Sequence, residues 1–169
     1  MHGIVTFIAK YFIVLSVLGA FIVWLRLDKK QKIRFIAVAI GAGIIALILA
    51  KLGGHFYYDT RPFVAGHFTP YFSHGADNGF PSDHTLLASF LAFISWKYSR
   101  KAGIALLILA IIIGLSRVVA GVHHLTDIIG SIVFALLGVL IASWIEHRID
   151  ARHSQRQHPK PQEAPKPES

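Results

Sequence analysis

Residues 103–145 read GIALLILAIIIGLSRVVAGVHHLTDIIGSIVFALLGVLIASWI. Two apolar runs, 103–119 and 125–145, meet at a polar step that holds Ser116, Arg117, His123, His124 and Asp127. Each run approaches the ~20 apolar residues that a membrane helix needs. Arginine, histidine and aspartate are expensive beside lipid, so their gathering at a helix mouth marks a functional site by default. The stretch therefore sets the fold class: an all-α, polytopic transmembrane bundle with its chemistry at one end.

The rest of the chain agrees. Of 169 residues, 54% are hydrophobic and only 15% charged, with a mean hydropathy of +0.55. A soluble domain carries about 25% charged residues. There is no cysteine, which excludes disulfides and thiolate metal sites. A net charge of +8 would suit nucleic acid, but the basic residues cluster beside apolar runs and at the C-terminus. That distribution points to the lipid bilayer as partner and to no nucleic acid. The start, Met1-His2-Gly3, lacks the basic region and cleavage site of a removable signal, so the first apolar run is expected to stay as a helix.

About five spans are expected: 4–25, 35–52, 81–98, 103–119 and 125–145. The second to fourth, at ~1.5 Å per residue, are short for a ~30 Å hydrocarbon layer, which places their charged ends near the interface. Lysine and arginine crowd three segments: 26–34 (Arg26, Lys29, Lys30, Lys32, Arg34), 97–102 (Lys97, Arg100, Lys101) and the tail (Arg148, Arg152, Arg156, Lys160, Lys166). With five spans all three fall on one side, which the positive-inside rule makes cytoplasmic. The N-terminus is then outside, the C-terminus inside, and the polar step at the outer face of a cell membrane. Residues 1–150 form one membrane domain. Residues 151–169, rich in Pro, Gln, His, Lys and Glu, are expected as a disordered cytoplasmic tail, either merely solvated or touching anionic headgroups.

Three pieces carry chemistry. In the first, His123 precedes Asp127 by four residues; if the turn after Val122 is helical, both share a face. A carboxylate can hold one imidazole nitrogen and leave the other free to attack phosphorus, making His123 the candidate nucleophile and Asp127 its orienter. His124 reads as secondary. In the second, Phe80-Pro81-Ser82-Asp83-His84, Pro81 suits the first position of a helix. The N–H groups of Ser82, Asp83 and His84 would then form an anion site, with Ser82 adding a hydroxyl and His84 a proton. In the third, Arg61-Pro62, the guanidinium joins that of Arg117 as a fork matched to phosphate oxygens. His55, His67 and His74 match no common metal spacing and read as interfacial loop histidines. No metal and no other cofactor is expected.

Together these pieces resemble the type 2 phosphatidic acid phosphatase (PAP2) superfamily. That family's Ser-Arg-x5-His-x3-Asp motif is met in full by Ser116, Arg117, His123 and Asp127, and its Pro-Ser-Gly-His motif with Asp83 in place of glycine. The Ser-Asp-His form, Arg61-Pro62-Phe63-Val64 and Gly121-Val122-His123 are similar to the bacterial undecaprenyl-diphosphatase branch. The resemblance covers roughly residues 51–145. It implies a metal-independent membrane phosphatase with a phosphohistidine intermediate on His123, oriented by Asp127, with His84 as acid and Arg61, Ser82, Asp83 through its backbone, and Arg117 holding the phosphate. Two departures stand out. The family's lysine precedes the arginine by seven residues, where this chain has Gly54; Lys51 lies ten before and, on a continuous helix, about 80° off that face. Lys51 either reaches the site, helped by a break at Gly53-Gly54, or anchors at the interface. Many members also have six spans.

The leading functional expectation is hydrolysis of undecaprenyl diphosphate, an isoprenyl diphosphate lipid, to undecaprenyl phosphate for carrier recycling in cell-wall synthesis. A phosphatase of phosphatidylglycerophosphate or phosphatidic acid is the alternative within the class. An ion-coupled transporter is the alternative of another class; against it, the charges cluster at one face and leave the helix centres apolar. A structural anchor leaves the three-motif spacing unexplained. Oligomeric state is not legible.

Overall fold

The computed structural model describes residues 2–157. Six helices follow one another: α1 (His2–Leu25), α2 (Lys29–Phe56), α3 (Pro62–Ala65), α4 (Asp83–Trp96), α5 (Arg100–Val119) and α6 (Leu125–Gln157). The described residues hold no strand, only an isolated bridge between Thr60 and Asn78.

Caps set where the chain turns. Asp28 closes a capping box at the start of α2: its Oδ1 accepts from the Gln31 N–H at 2.9 Å, and the Gln31 side chain accepts from the Asp28 N–H at 3.3 Å. Ser99 caps α5 through the Ala102 N–H at 3.4 Å. Pro81 was expected as the first residue of α4, but Ser82 is the N-cap and Pro81 lies just outside.

The packing is that of a membrane bundle. Ala42, Ala88, Ala92, Ala110 and Ala135 are fully buried between helices, while Ile40, Leu47, Ile108, Leu140 and Trp144 are more than half exposed on the outside. Lipid tails are as apolar as leucine, so large side chains gain nothing by facing inward, and small ones let backbones approach. α4 sits at the centre, packed on α1, α2, α5 and α6.

Four helices, α1, α2, α5 and α6, are long and apolar enough to cross a membrane. The expected third span is the shorter α4, whose 14 residues make about 21 Å. Conversely, α2 runs 28 residues, so the short second span expected from 35–52 is not short. α6 also continues past Ile145 to Gln157, which makes 151–157 helical where the tail was expected to begin. The remainder of the expected tail, 158–169, lies outside the described residues.

Alternation of the helices puts the start of α1, the end of α2, the start of α4, the end of α5 and the start of α6 at one end of the bundle. His2 stacks on Tyr71 there, ring centroids 4.0 Å apart. At the other end, Lys97 pairs with Glu146, and Arg34 with Glu146 at 3.2 Å and with Asp150. These pairs tie α2, α4 and α6 beside the basic clusters; as partly exposed pairs each contributes at most about 1 kcal/mol.

Candidate active site

α5 ends at Val119, and Gly121 then takes a left-handed turn (φ 78°) that a side chain would strain. A Cβ there would also meet the Phe68 ring at 2.5 Å. The turn directs the Val122 carbonyl to Arg61 and swings His123 inward. His123 and His124 precede α6 and do not share a helical face with Asp127, as the spacing alone had suggested. Instead Asp127, in the first turn of α6, reaches back. Its Oδ2 accepts from the His124 backbone N–H at 2.9 Å and from His123 Nδ1 at 3.0 Å. One carboxylate thus caps the helix and fixes the imidazole. Both side chains are buried.

With Nδ1–H donating to Asp127, the lone pair of His123 is on Nε2. Arg61 Nη1 and Arg117 Nη2 both approach that atom at 3.4 Å. Each guanidinium is fixed by the fold. Arg61 donates to the Val122 carbonyl at 2.9 Å, the Asn78 carbonyl at 3.2 Å and Asp77 Oδ1 at 3.0 Å. Arg117 donates to the Ala9 carbonyl at 3.2 Å and to His74 Nε2 at 3.0 Å. Its Nε is buried without a partner among the described residues. Phe72 lies under both Arg117 and Lys10, 5.7 and 5.0 Å from the ring centroid.

Burial lowers the His123 pKa below its ordinary value, and Arg117 and Arg61 push the same way against the Asp127 hydrogen bond. The ring is therefore neutral at neutral pH, with a free electron pair on Nε2. Burial and the two arginines likewise lower the pKa of His74.

These groups line a cavity of about 350 Å³ together with Lys51, Asp83 and His84. His84, half-buried, is on the α4 side. Lys51 is on the wall although α2 does not break at Gly53-Gly54. The family's lysine position is closed: a Cβ on Gly54 would lie 2.9 Å from the Phe80 carbonyl oxygen. Ser82 is not on the wall. It is fully buried; its Oγ accepts from Thr85 Oγ1 at 3.2 Å, its N–H points to the Asp127 carbonyl at 3.4 Å, and its carbonyl accepts from Ser131 Oγ at 2.8 Å. Its polar atoms join α4 to α6 beneath the cavity.

Three residues of the long loop, Asn78, Asp59 and Asp77, escaped the sequence reading, and a fourth, His74, was read there only as an interfacial histidine. Asn78 spends its whole amide on positioning: Oδ1 accepts from the N–H groups of Asp59 and Phe80, both at 2.9 Å, and Nδ2 donates to the carbonyls of Gly54 and Tyr57. Asp59 accepts from His124 Nδ1 at 3.0 Å and Thr126 Oγ1 at 3.2 Å, joining the end of α2 to the start of α6. Asp77 holds Arg61, and His74 holds Arg117. Potential ligand atoms of Asp59, His124 and Asp127 lie within 4.8 Å of one another, a grouping able to take a cation. Hydrogen bonds from His123, His124 and Thr126 engage Oδ2 of both carboxylates, while Asp127 Oδ1 is buried without a partner among the described residues. No spacing rule marks these loop residues; a polar run Asp77-Asn78 beside the second motif was the only signal.

A helical membrane bundle with two buried arginines and a carboxylate-held histidine converging on one cavity defines a protein built to handle phosphoryl groups at a bilayer. The model of the PAP2 superfamily matches residues 33–150. The chain is 35% identical over 147 residues to a putative undecaprenyl-diphosphatase, YbjG, of Escherichia coli, covering 86% of this chain and 73% of that one. It is 34% identical to the undecaprenyl-diphosphatase BcrC of Bacillus subtilis, covering 81% and 70%. A Bacillus licheniformis relative described as a bacitracin transport permease protein is 30% identical over 90% of this chain and 75% of its own. The fold is similar to the crystal structure of a transmembrane PAP2-type phosphatidylglycerolphosphate phosphatase from Bacillus subtilis, with a TM-score of 0.58 and 20% identity over 88% of this chain and 77% of that one. The chain belongs to the PAP2 superfamily and is a multi-pass membrane lipid phosphatase.

Proposed function

We propose that the protein hydrolyses undecaprenyl diphosphate to undecaprenyl phosphate and phosphate through a phosphohistidine on His123, returning lipid carrier for cell-wall synthesis. The observation that carries the chemistry is the convergence of Arg61 and Arg117 on His123 Nε2, the nitrogen left free by Asp127. Nε2 attacks the terminal phosphorus, the lipid phosphate leaves with a proton from His84, and water then releases phosphate from the histidine. The guanidinia meet the charge that develops on the transferring oxygens. In this reading Asp83, through its backbone N–H at the first turn of α4, and Lys51 also hold the phosphate, and Ser82 supports them from below. The substrate assignment draws on the Ser82-Asp83-His84 form and on the two relatives named undecaprenyl-diphosphatase.

The assay that tests it offers purified protein several lipid phosphates in EDTA, then with Mg²⁺. Long-chain isoprenyl diphosphate is expected to exceed phosphatidylglycerophosphate and phosphatidic acid in kcat/KM by at least ~10-fold, because a second phosphate gives Lys51 or Arg61 one more charge-assisted contact, and ~1.4 kcal/mol suffices. A faster glycerophospholipid phosphate would move the substrate while leaving the histidine chemistry. Full activity is expected in EDTA, since two guanidinia supply the positive charge; activity lost to EDTA and restored by Mg²⁺ would instead bring the Asp59–His124–Asp127 group into the reaction.

The site faces outward in this reading, on the strength of the basic clusters at the opposite end of the bundle. The chain has no cysteine, so single cysteines report cleanly. Thr69→Cys, on the loop at the site's end, is expected to react with an impermeant thiol reagent on intact cells. Lys30→Cys, at the other end, is expected to react only in opened membranes. The reverse pattern would invert the topology.

A further inference from the structure

We propose that His74 is a phosphoryl-binding residue of this site: its Nε2 gives up Arg117 when substrate arrives and donates to an oxygen of the phosphoryl group being transferred to His123. The inference rests on the phosphatase reading above and adds a third histidine to it.

The geometry carries it. His74 is on the loop between α3 and α4, yet its ring is on the cavity wall, edge-on to the His123 ring with centroids 5.9 Å apart. The Nε2 atoms of the two histidines touch the same guanidinium nitrogen, Arg117 Nη2, at 3.0 and 3.4 Å. A phosphoryl group bonded to His123 Nε2 must take Arg117 Nη2 as a partner, and it arrives where His74 Nε2 now points. In the resting site that atom accepts from Arg117, so the ring proton is on Nδ1, beside the Gly75 carbonyl at 3.4 Å.

The ring is neutral because burial lowers its pKa and Arg61 and Arg117, with His123 on the same side, push the same way, while the Asp77 carboxylate beside it is committed to Arg61. His84 faces the same space from α4. An incoming phosphate carries more negative charge than the two arginines have spare, so the field on His74 reverses. The ring then takes up one proton at Nε2 and becomes a donor to the phosphoryl oxygen, keeping Nδ1–H on Gly75.

The loop is held for this task. The Tyr71 N–H donates to the Ala120 carbonyl at 3.1 Å, Thr6 Oγ1 donates to the Tyr71 carbonyl at 3.5 Å, and the Phe72 ring takes both Lys10 and Arg117 in cation–π contact. His74 is thus delivered by contacts from α1 and from the turn after α5, not by chance exposure of a loop.

The test is calorimetric binding of orthovanadate, which mimics the five-coordinate phosphoryl group, to the purified full-length protein, with steady-state kinetics on isoprenyl diphosphate. His74→Ala is expected to weaken vanadate by ~10-fold or more and to lower kcat by a similar factor, while KM changes by less than ~3-fold, because a charge-assisted hydrogen bond made in the transition state is lost. His74→Gln, whose amide can both accept from Arg117 and donate to an oxygen, is expected to restore most of the loss and to show that the loop is intact. Unchanged or tighter vanadate binding by a folded His74→Ala protein would overturn the proposal, since His74 would then only compete for Arg117. So would a raised KM with unchanged kcat and vanadate affinity. Weakened vanadate binding in a protein that does not turn over isoprenyl diphosphate would keep His74 in its role and reject the lipid assignment instead.

Discussion

His123→Ala is expected to reduce phosphate release to the background of the assay. The imidazole is the one group to which the fold brings a carboxylate on one nitrogen and two guanidinia on the other. His84 and His74 are on the same wall, but among the described residues no carboxylate hydrogen-bonds either ring. Without His123 the covalent route is closed, and electrostatic stabilisation by Arg61 and Arg117 has no nucleophile to serve. Protein quenched during turnover is expected to carry phosphate that is labile to acid and stable to base, and the His123→Ala protein none. Acid-stable, base-labile phosphate would indicate an acyl phosphate on an aspartate and remove the histidine from the role.

The same environment sets a pH dependence. Neutral His123 attacks and protonated His123 does not, so the rate falls as pH drops through its pKa. Burial, helped by Arg117 and Arg61, holds that pKa below the ordinary 6.5. The acidic limb of kcat/KM, which reports the free enzyme, is therefore expected below pH 6.5.

The helices and the motif from Ser116 to Asp127 were legible because their signals are local. Apolar runs and the spacing of Arg117, His123 and Asp127 can each be read within one segment. The reason that spacing works was not legible. It suggested two side chains on a helical face, whereas the structure uses a helix start, with Asp127 capping α6 and holding His123 together. The lysine question also needed three dimensions. That no side chain fits at Gly54 follows from the Phe80 carbonyl above it, 26 residues away in the chain. Asn78, Asp77, Asp59 and His74 lie in a loop with no period, where composition says only that the segment is polar. Their roles come from partners at sequence separations of 16 to 65. Ser82 shows the converse: its motif is plain in sequence, but its polar atoms turn to Thr85, Asp127 and Ser131.

Asp127→Asn is expected to cost at least ~100-fold in kcat, with a smaller effect on KM. The substitution is nearly isosteric and removes one charge, yet it strikes two tasks at once. As a carboxylate, Asp127 accepts from His123 Nδ1 and from the His124 N–H through the same oxygen. An asparagine oxygen can still accept from both, which keeps the cap on α6, but it offers no charge to the imidazolium that forms as His123 attacks. If the amide turns its NH₂ toward the ring, the proton moves to Nε2 and the lone pair faces the wrong way, the loss expected when an orienting carboxylate becomes an amide. Two neighbouring carboxylates are already engaged elsewhere: Asp59 with His124 and Thr126, and Asp77 with Arg61. Because Arg61 and Arg117 are unaltered, vanadate and substrate should still bind, so the loss falls on kcat. Asp127→Ala removes the helix cap as well and is expected to lower the melting temperature, where Asp127→Asn does not. Near-normal kcat in a folded Asp127→Asn protein would show that the arginines alone set the His123 tautomer.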